Sequence, residues 1–131
     1  ALAASDVVSA LEYLADAETV DVNLLFAAPD ANGADTVGEK LISICEARKD
    51  CMAFISPPIE DSTGTDPVGD VVEYAGNLPS TSYASLDSGA VYLYDKYNDV
   101  YRWIGSNGLC AGLCANADNE NTLVQCLERV Y

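Results

Sequence analysis

Apolar positions along this chain follow two rhythms, one with helical spacing and one of short unbroken runs. Val7, Val8, Leu11 and Leu14 fall at helical spacing behind Ser5, a residue suited to capping a helix that ends near Asp16. Residues 22–28, "VNLLFAA", form a continuous apolar run, as a strand buried on both faces requires. The turn-rich "PDANGAD" follows, with Asn32-Gly33 as punctuation and Asp35 placed to cap the next helix. That helix carries Val37, Leu41, Ile44, Cys45 and Arg48 on one stripe. Residues 51–56, "CMAFIS", read as a second buried strand, stopped by Pro57-Pro58. The polar "IEDSTGTD" reads as a surface loop. Asp66-Pro67 then pairs a cap with a first-turn proline and opens a helix through Val68, Val71, Val72 and Tyr74, ended by Gly76-Asn77.

The remaining third changes character. Tyr83 to Leu86 reads as a third strand, and residues 91–95 and 100–104 as a hairpin around a polar turn at Lys96 to Asp99. Ser106-Asn107-Gly108 turns the chain again, and residues 109–117 read as a short helix. Strands alternating with helices predict an α/β fold: a largely parallel sheet flanked by helices in a three-layer sandwich, with right-handed crossovers and a β-hairpin near residues 91–104. There is no internal repeat, low-complexity tract or linker, so residues 1–131 read as a single domain.

Charge narrows the function classes. Six basic residues stand against 21 acidic ones in 131, for a net charge of −15. Arg48-Lys49 is the one adjacent basic pair and is flanked by Glu46 and Asp50, so no cluster is available to release counterions from a phosphate backbone. Nucleic acid is therefore not an expected partner. The acidity fits either a solvated surface or a face that docks on a basic partner or another copy. The longest apolar run, residues 24–29, is far below the ~18 residues of a membrane span, and no basic stretch precedes an apolar one as in a signal peptide. The chain begins at Ala1 without Met, as a processed product or a fragment would.

Histidine is absent, which removes Ser-His-Asp and Cys-His triads and any His-ligated zinc within the chain. Acid–base work would fall on carboxylates, Tyr, Lys or Cys. The five cysteines, Cys45, Cys51, Cys110, Cys114 and Cys126, are odd in number, which argues against a disulfide framework. They read as core thiols, with a four-thiolate metal site as the weaker alternative because tight C-x-x-C knuckles are missing. Residues 33–40, "GADTVGEK", imitate a phosphate-binding loop, but Glu39 intervenes before Lys40, and Leu41 stands where Ser or Thr is needed. Asp95, Asn98 and Asp99 imitate a calcium loop but lack its spacing and later Glu, and a hairpin turn accounts for them. No catalytic, cofactor or metal residues are assigned, and no cofactor or small-molecule substrate is expected. Strand alternation places Tyr92 and Tyr94 on one face, and Tyr101 and Trp103 on one face of the neighbouring strand. This aromatic ribbon is the candidate partner surface.

Several segments carry a family resemblance. "EARKDCMAFISPP" (46–58) and "YLYDKYNDVYRWI" (92–104), with "STSYASLDS" between them, resemble the tail sheath proteins of contractile-tailed bacteriophages, especially T-even-like and cyanobacterial myoviruses. "DVNLLFAAPDAN" (21–32) and "AGLCANAD" (111–118) continue the likeness in the same order, so that it spans about residues 8–118 and leaves 119–131 unmatched. The resemblance implies a non-catalytic virion protein made in the host cytoplasm, a piece of the sheath domain called subtilisin-like for its layout. Its implied partners are other sheath subunits, in hexameric rings, and the inner tail tube, and its implied work is contraction and genome injection. Asn116 departs from an Arg common in the family, and "NENTLVQCLERVY" departs from its usual Trp-, Pro- and Gly-rich continuation. Family proteins are several times longer, so the chain reads as an excised domain, a truncated relative or a piece with a different ending. A stand-alone acidic protein-binding or self-assembling filament module of the same fold is the alternative function. A carboxylate- or thiol-based enzyme is a third, for which no cluster in the sequence argues.

Overall fold

Two short apolar runs supply the centre of the sheet. In the computed structural model, which describes residues 4–28 and 36–120, β1 (Leu24–Phe26) and β2 (Met52–Ile55) pair in parallel with Leu25 opposite Ala53. β3 (Ala84–Leu86) adds on the other side of β2, again parallel, with Phe54 opposite Ser85. The order β1-β2-β3 makes β2 the central strand. Ala53, Phe54 and Ile55 are accordingly buried, so both faces of β2 are covered.

One face of this sheet packs on helices. α1 (Ala4–Leu11) continues into a 3₁₀ turn (Glu12–Ala15) and lies against α2 (Thr36–Arg48). Leu25, Ala53 and Ile55 meet Val37, Leu41, Ile42, Ile44 and Cys45 of α2 and Tyr74 of α4 (Pro67–Asn77) in one apolar core. Val7, Val8, Leu11 and Leu14 close its outer side. α5 (Asn107–Glu120) covers the Phe54 side of β1 and β2, giving the expected three layers. The approach is close: a Cβ on Gly108 would sit 3.5 Å from the Phe26 ring. β4 (Ala90–Asp95) and β5 (Val100–Gly105) form a separate antiparallel hairpin. Among the described residues, no helix is long and apolar enough to cross a membrane.

Local chemistry fixes the element ends. Asp66 caps α4 by accepting from Gly69 N at 3.2 Å, with Pro67 in the first turn. α2 ends where Lys49 takes a left-handed conformation (φ 62°) and its N–H bonds back to Cys45 O at 2.8 Å. The Arg48 side chain then reaches across to Leu14 O (2.7 Å) and Val20 O (2.9 Å), and forks onto both Asp50 oxygens (2.9 and 3.0 Å). It staples the segment following α1 to the core.

Three expectations need correction. The stretch after Pro58 is not all loop, since Ile59–Thr63 forms a short helix, α3. Proline has no N–H to give to a ladder or a preceding turn, yet it suits the position just before a helix; there Pro58 O accepts from Asp61 N and Ser62 N. In α4 the stripe is also narrower than expected: Tyr74 is buried, while Val68 and Val72 are exposed. β1 is an edge strand among the described residues, so Phe26 stays 56% exposed where a fully buried strand was expected. The turn "PDANGAD" and the segment 119–131 fall largely outside the described residues.

Candidate interaction face and its polar anchor

The hairpin turn organises the aromatic strands. Asp95 accepts from the backbone N–H groups of Tyr97 (3.0 Å) and Asn98 (3.3 Å), and Asn98 Nδ2 donates to its second oxygen at 2.6 Å. These bonds, that from Asn98 first, hold the Asp95 carboxyl below its usual range. Asp99 adopts φ 53°, closing the turn, and accepts from the Tyr94 hydroxyl, which raises the Tyr94 phenol above its ordinary value. The three residues that imitate a calcium loop are thus engaged in turn chemistry. Among the described residues, no three Cys, Asp or Glu side chains converge to hold a metal.

The turn sets the register, and the register gathers the aromatics. Tyr92 stands opposite Trp103 and Tyr94 opposite Tyr101, which places all four rings on the same face. Tyr92 stacks on Tyr101 with centroids 5.2 Å apart and planes 21° off parallel. Tyr92 meets Trp103 at 4.9 Å, and Tyr94 meets Tyr101 at 5.1 Å, both tilted. Each such pair contributes ~0.5–1.5 kcal/mol beyond area burial, so the ribbon is held as a single plate. All four rings remain about half exposed. The reverse face carries Leu93 and Ile104, both exposed as well. Beside Trp103 an apolar groove of about 520 Å³ runs between Phe26, Ile59, Ile104 and Leu109.

A polar cluster not recognised in the sequence ties this plate to the sheet. Asp87, just past β3, accepts from Ser56 Oγ at 2.8 Å, from Ser106 Oγ and from Gly89 N at 3.3 Å. Ser56 in turn accepts from Asn107 N at 2.9 Å, and Asn107 Nδ2 donates to Ala27 O at 2.7 Å. Ser106 N bonds to Gly89 O at 3.1 Å. The ends of β1, β2 and β3, both ends of the hairpin and the start of α5 therefore converge on one network. Ser56 and Asn107 are buried, and no buried side-chain N or O among the described residues lacks a partner. The one signal available in the sequence is Ser106-Asn107-Gly108, read there as a plain turn.

The other candidate residues separate. Cys45 and Cys51 lie in contact where α2 meets β2, whereas Cys110 and Cys114 belong to α5. Cys126 lies outside the described residues. Gly33 to Asp35 of the imitation phosphate loop also lie outside them. Gly38 has a packing role: a Cβ there would meet Tyr74 Oη at 3.1 Å and Ile55 Cγ2 at 3.4 Å.

Comparison with known proteins agrees with the resemblance read from the sequence. The chain is 39% identical to the tail sheath protein of Enterobacteria phage T4 over 132 aligned residues, covering 88% of this chain. It is 35% identical to the tail sheath protein of Vibrio phage KVP40, again over 88% of the chain, and 33% identical to that of Salmonella phage ViI over 84%. The chain spans about a fifth of the length of these curated relatives. No protein-family model matches it.

Proposed function

We propose that this chain is a piece of a bacteriophage tail sheath subunit, a virion component that works by shape and surface. The observation that carries the reading is the 39% identity to the T4 tail sheath protein over most of the chain. The fold supports it, since a small rigid sandwich presents an aromatic plate held by a buried polar anchor. Tyr and Trp are the residues that dominate protein–protein hot spots, and here Tyr92, Tyr94, Tyr101 and Trp103 lie on a single exposed face. We assign that ribbon to contacts with neighbouring sheath subunits, which in the assembled tail form hexameric rings around the tube and contract to drive genome injection. The part played by this piece is non-catalytic. Ser56, Ser106 and Asp87 bring hydroxyls to a carboxylate, but the chain has no histidine to take a proton from serine. The chain's net charge of −15 also disfavours nucleic acid as a partner.

Immunogold electron microscopy tests the reading. Antibodies raised against the purified chain are expected to decorate the full tail of the phage that encodes it. Labelling confined to the capsid, or to host material with tails unlabelled, would sink the sheath assignment. Substituting Tyr94 by Ser, which leaves the Tyr92 contacts with Tyr101 and Trp103 in place, is expected in the full subunit to weaken sheath polymerisation while leaving the hairpin folded. Normal sheaths from that variant would remove the ribbon from the interface. Regular filaments formed by the isolated chain would instead favour the self-assembling alternative.

A further inference from the structure

The junction between α2 and β2 holds a feature that the sheath role does not use. Cys45 lies in the last turn of α2 and Cys51 immediately precedes β2, and their sulfur atoms stand 3.4 Å apart. Both are free thiols and both are buried, Cys45 fully and Cys51 at 6% exposure. Ordinary core packing puts apolar atoms around a thiol; here each sulfur has the other at van der Waals contact. The chain between them is short and fixed. It reverses at Lys49 (φ 62°), and the Arg48 fork on Asp50 sits inside the reversal. The two side chains are thus already oriented toward each other. A disulfide needs the sulfurs to close to ~2.05 Å, a movement small enough for side-chain torsions and slight backbone adjustment.

We infer that Cys45 and Cys51 form a redox-active dithiol, convertible to an intramolecular disulfide by small-molecule disulfides of the glutathione class. The inference is independent of the sheath reading. The exchange balances in two steps. The Cys51 thiolate, on the more accessible of the two sulfurs, attacks the reagent disulfide, forming a mixed disulfide and expelling one reagent thiolate. Cys45 then gives up its proton and attacks the Cys51 sulfur, forming the Cys45–Cys51 bond and releasing the second reagent thiolate. The two protons lost by the protein end on the two reagent thiols, so the protein is oxidised by two electrons and one reagent disulfide is reduced. Burial and the contact with Cys51 push the Cys45 thiol up to about 12, so the second step is slow and accelerates with rising pH. Cys110 and Cys114 lie four residues apart on α5, away from this junction.

The test uses the 131-residue chain itself, treated under native conditions with oxidised glutathione, then denatured and alkylated. Trypsin cuts after Arg48 and Lys49, so the disulfide appears by mass spectrometry as peptide 41–48 joined to the peptide beginning at Asp50. Expected is this linked pair as the dominant oxidised product, with Cys110, Cys114 and Cys126 alkylated. In Cys45→Ser, glutathione is expected to remain attached at Cys51, because the resolving thiol is gone. Full alkylation of Cys45 and Cys51 after prolonged treatment of the unmodified chain would overturn the inference. So would a mixture in which Cys45 links equally to all other cysteines, since that is the pattern of an unfolded chain.

Discussion

Burial, reinforced by the neighbouring Cys51, raises the Cys45 thiol from an ordinary 9.0 to about 12. A group whose folded value is raised contributes stability that is complete below its unfolded value and vanishes as pH climbs through the folded one. Resistance to urea is therefore expected to fall as pH rises from 9.0 toward about 12, and the fall should be shallower in Cys45→Ala. An equal slope in the two proteins would show that the thiol is not responsible. Asp16, Asp50 and Asp95 act in the opposite sense. Bonds from Thr19, Arg48 and Asn98 respectively hold them below the ordinary 3.8, so their contributions are present above that value and are lost as pH falls through the folded ones. Asp87 matters through geometry. Asp87→Ala removes the acceptor shared by Ser56 and Ser106, and an orphaned buried hydroxyl costs ~1–3 kcal/mol. Urea denaturation is expected to show a loss of that order, with a smaller loss for Asp87→Asn, whose amide oxygen still accepts one hydroxyl. The Asp87 cluster was not legible in the sequence, because Ser56, Asp87, Ser106 and Asn107 are spread over three loops. Each taken alone looks like an ordinary turn residue. The Tyr92–Trp103 ribbon was legible, because its members follow strand alternation across a single tight turn.

At the scale of elements, legibility followed burial. The runs around β1 and β2 stood out because the strands feed a shared core, and Asp66-Pro67 announced α4 through cap chemistry that depends on two adjacent residues. α3 was hidden, because five residues, Ile59–Thr63, give too little periodicity to distinguish a helical turn from a loop. Gly38 shows a packing demand that outranks propensity. In a helix interior Ala is favoured over Gly by ~0.5–1 kcal/mol, yet a methyl at Gly38 would press on the buried Tyr74 hydroxyl at 3.1 Å and on Leu78 Cδ2 at 3.4 Å. Overpacking of this kind costs ~1–3 kcal/mol, so Gly38→Ala is expected to destabilise despite the better helix former. Combining it with Tyr74→Phe shortens the opposing side chain. The double variant should lose less than the sum of the two single variants in a double-mutant cycle. Strict additivity would place the strain elsewhere.

For the molecule as a whole, the sheet and the hairpin differ in how well they are covered, and the Asp87 network and α3 join them. The three-stranded sheet is covered on both faces, by α1, α2 and α4 on one side and α5 on the other. The hairpin has neither face fully covered: Tyr92 is 53% exposed on one side and Leu93 41% on the other. A two-stranded ribbon is marginal in water unless something packs against it, so its persistence here depends on its contact with α3, the ring stack, the Asp95 turn and the polar anchor. Amide hydrogen exchange in the isolated chain is expected to be faster across β4 and β5 than across β2. If the ribbon is a subunit contact, incorporation into a sheath covers the four rings and should slow exchange at residues 90–95 and 100–105 far more than at residues 52–55. An acidic chain of charge −15 also repels its own copies, which favours contacts made by an uncharged aromatic plate over contacts between acidic faces. Assembly through the plate should therefore strengthen with added salt, which screens that repulsion while leaving apolar burial intact. Weakening by salt would instead identify an ion-paired interface on a basic partner, and unchanged hairpin exchange in the sheath would remove the ribbon from the contact.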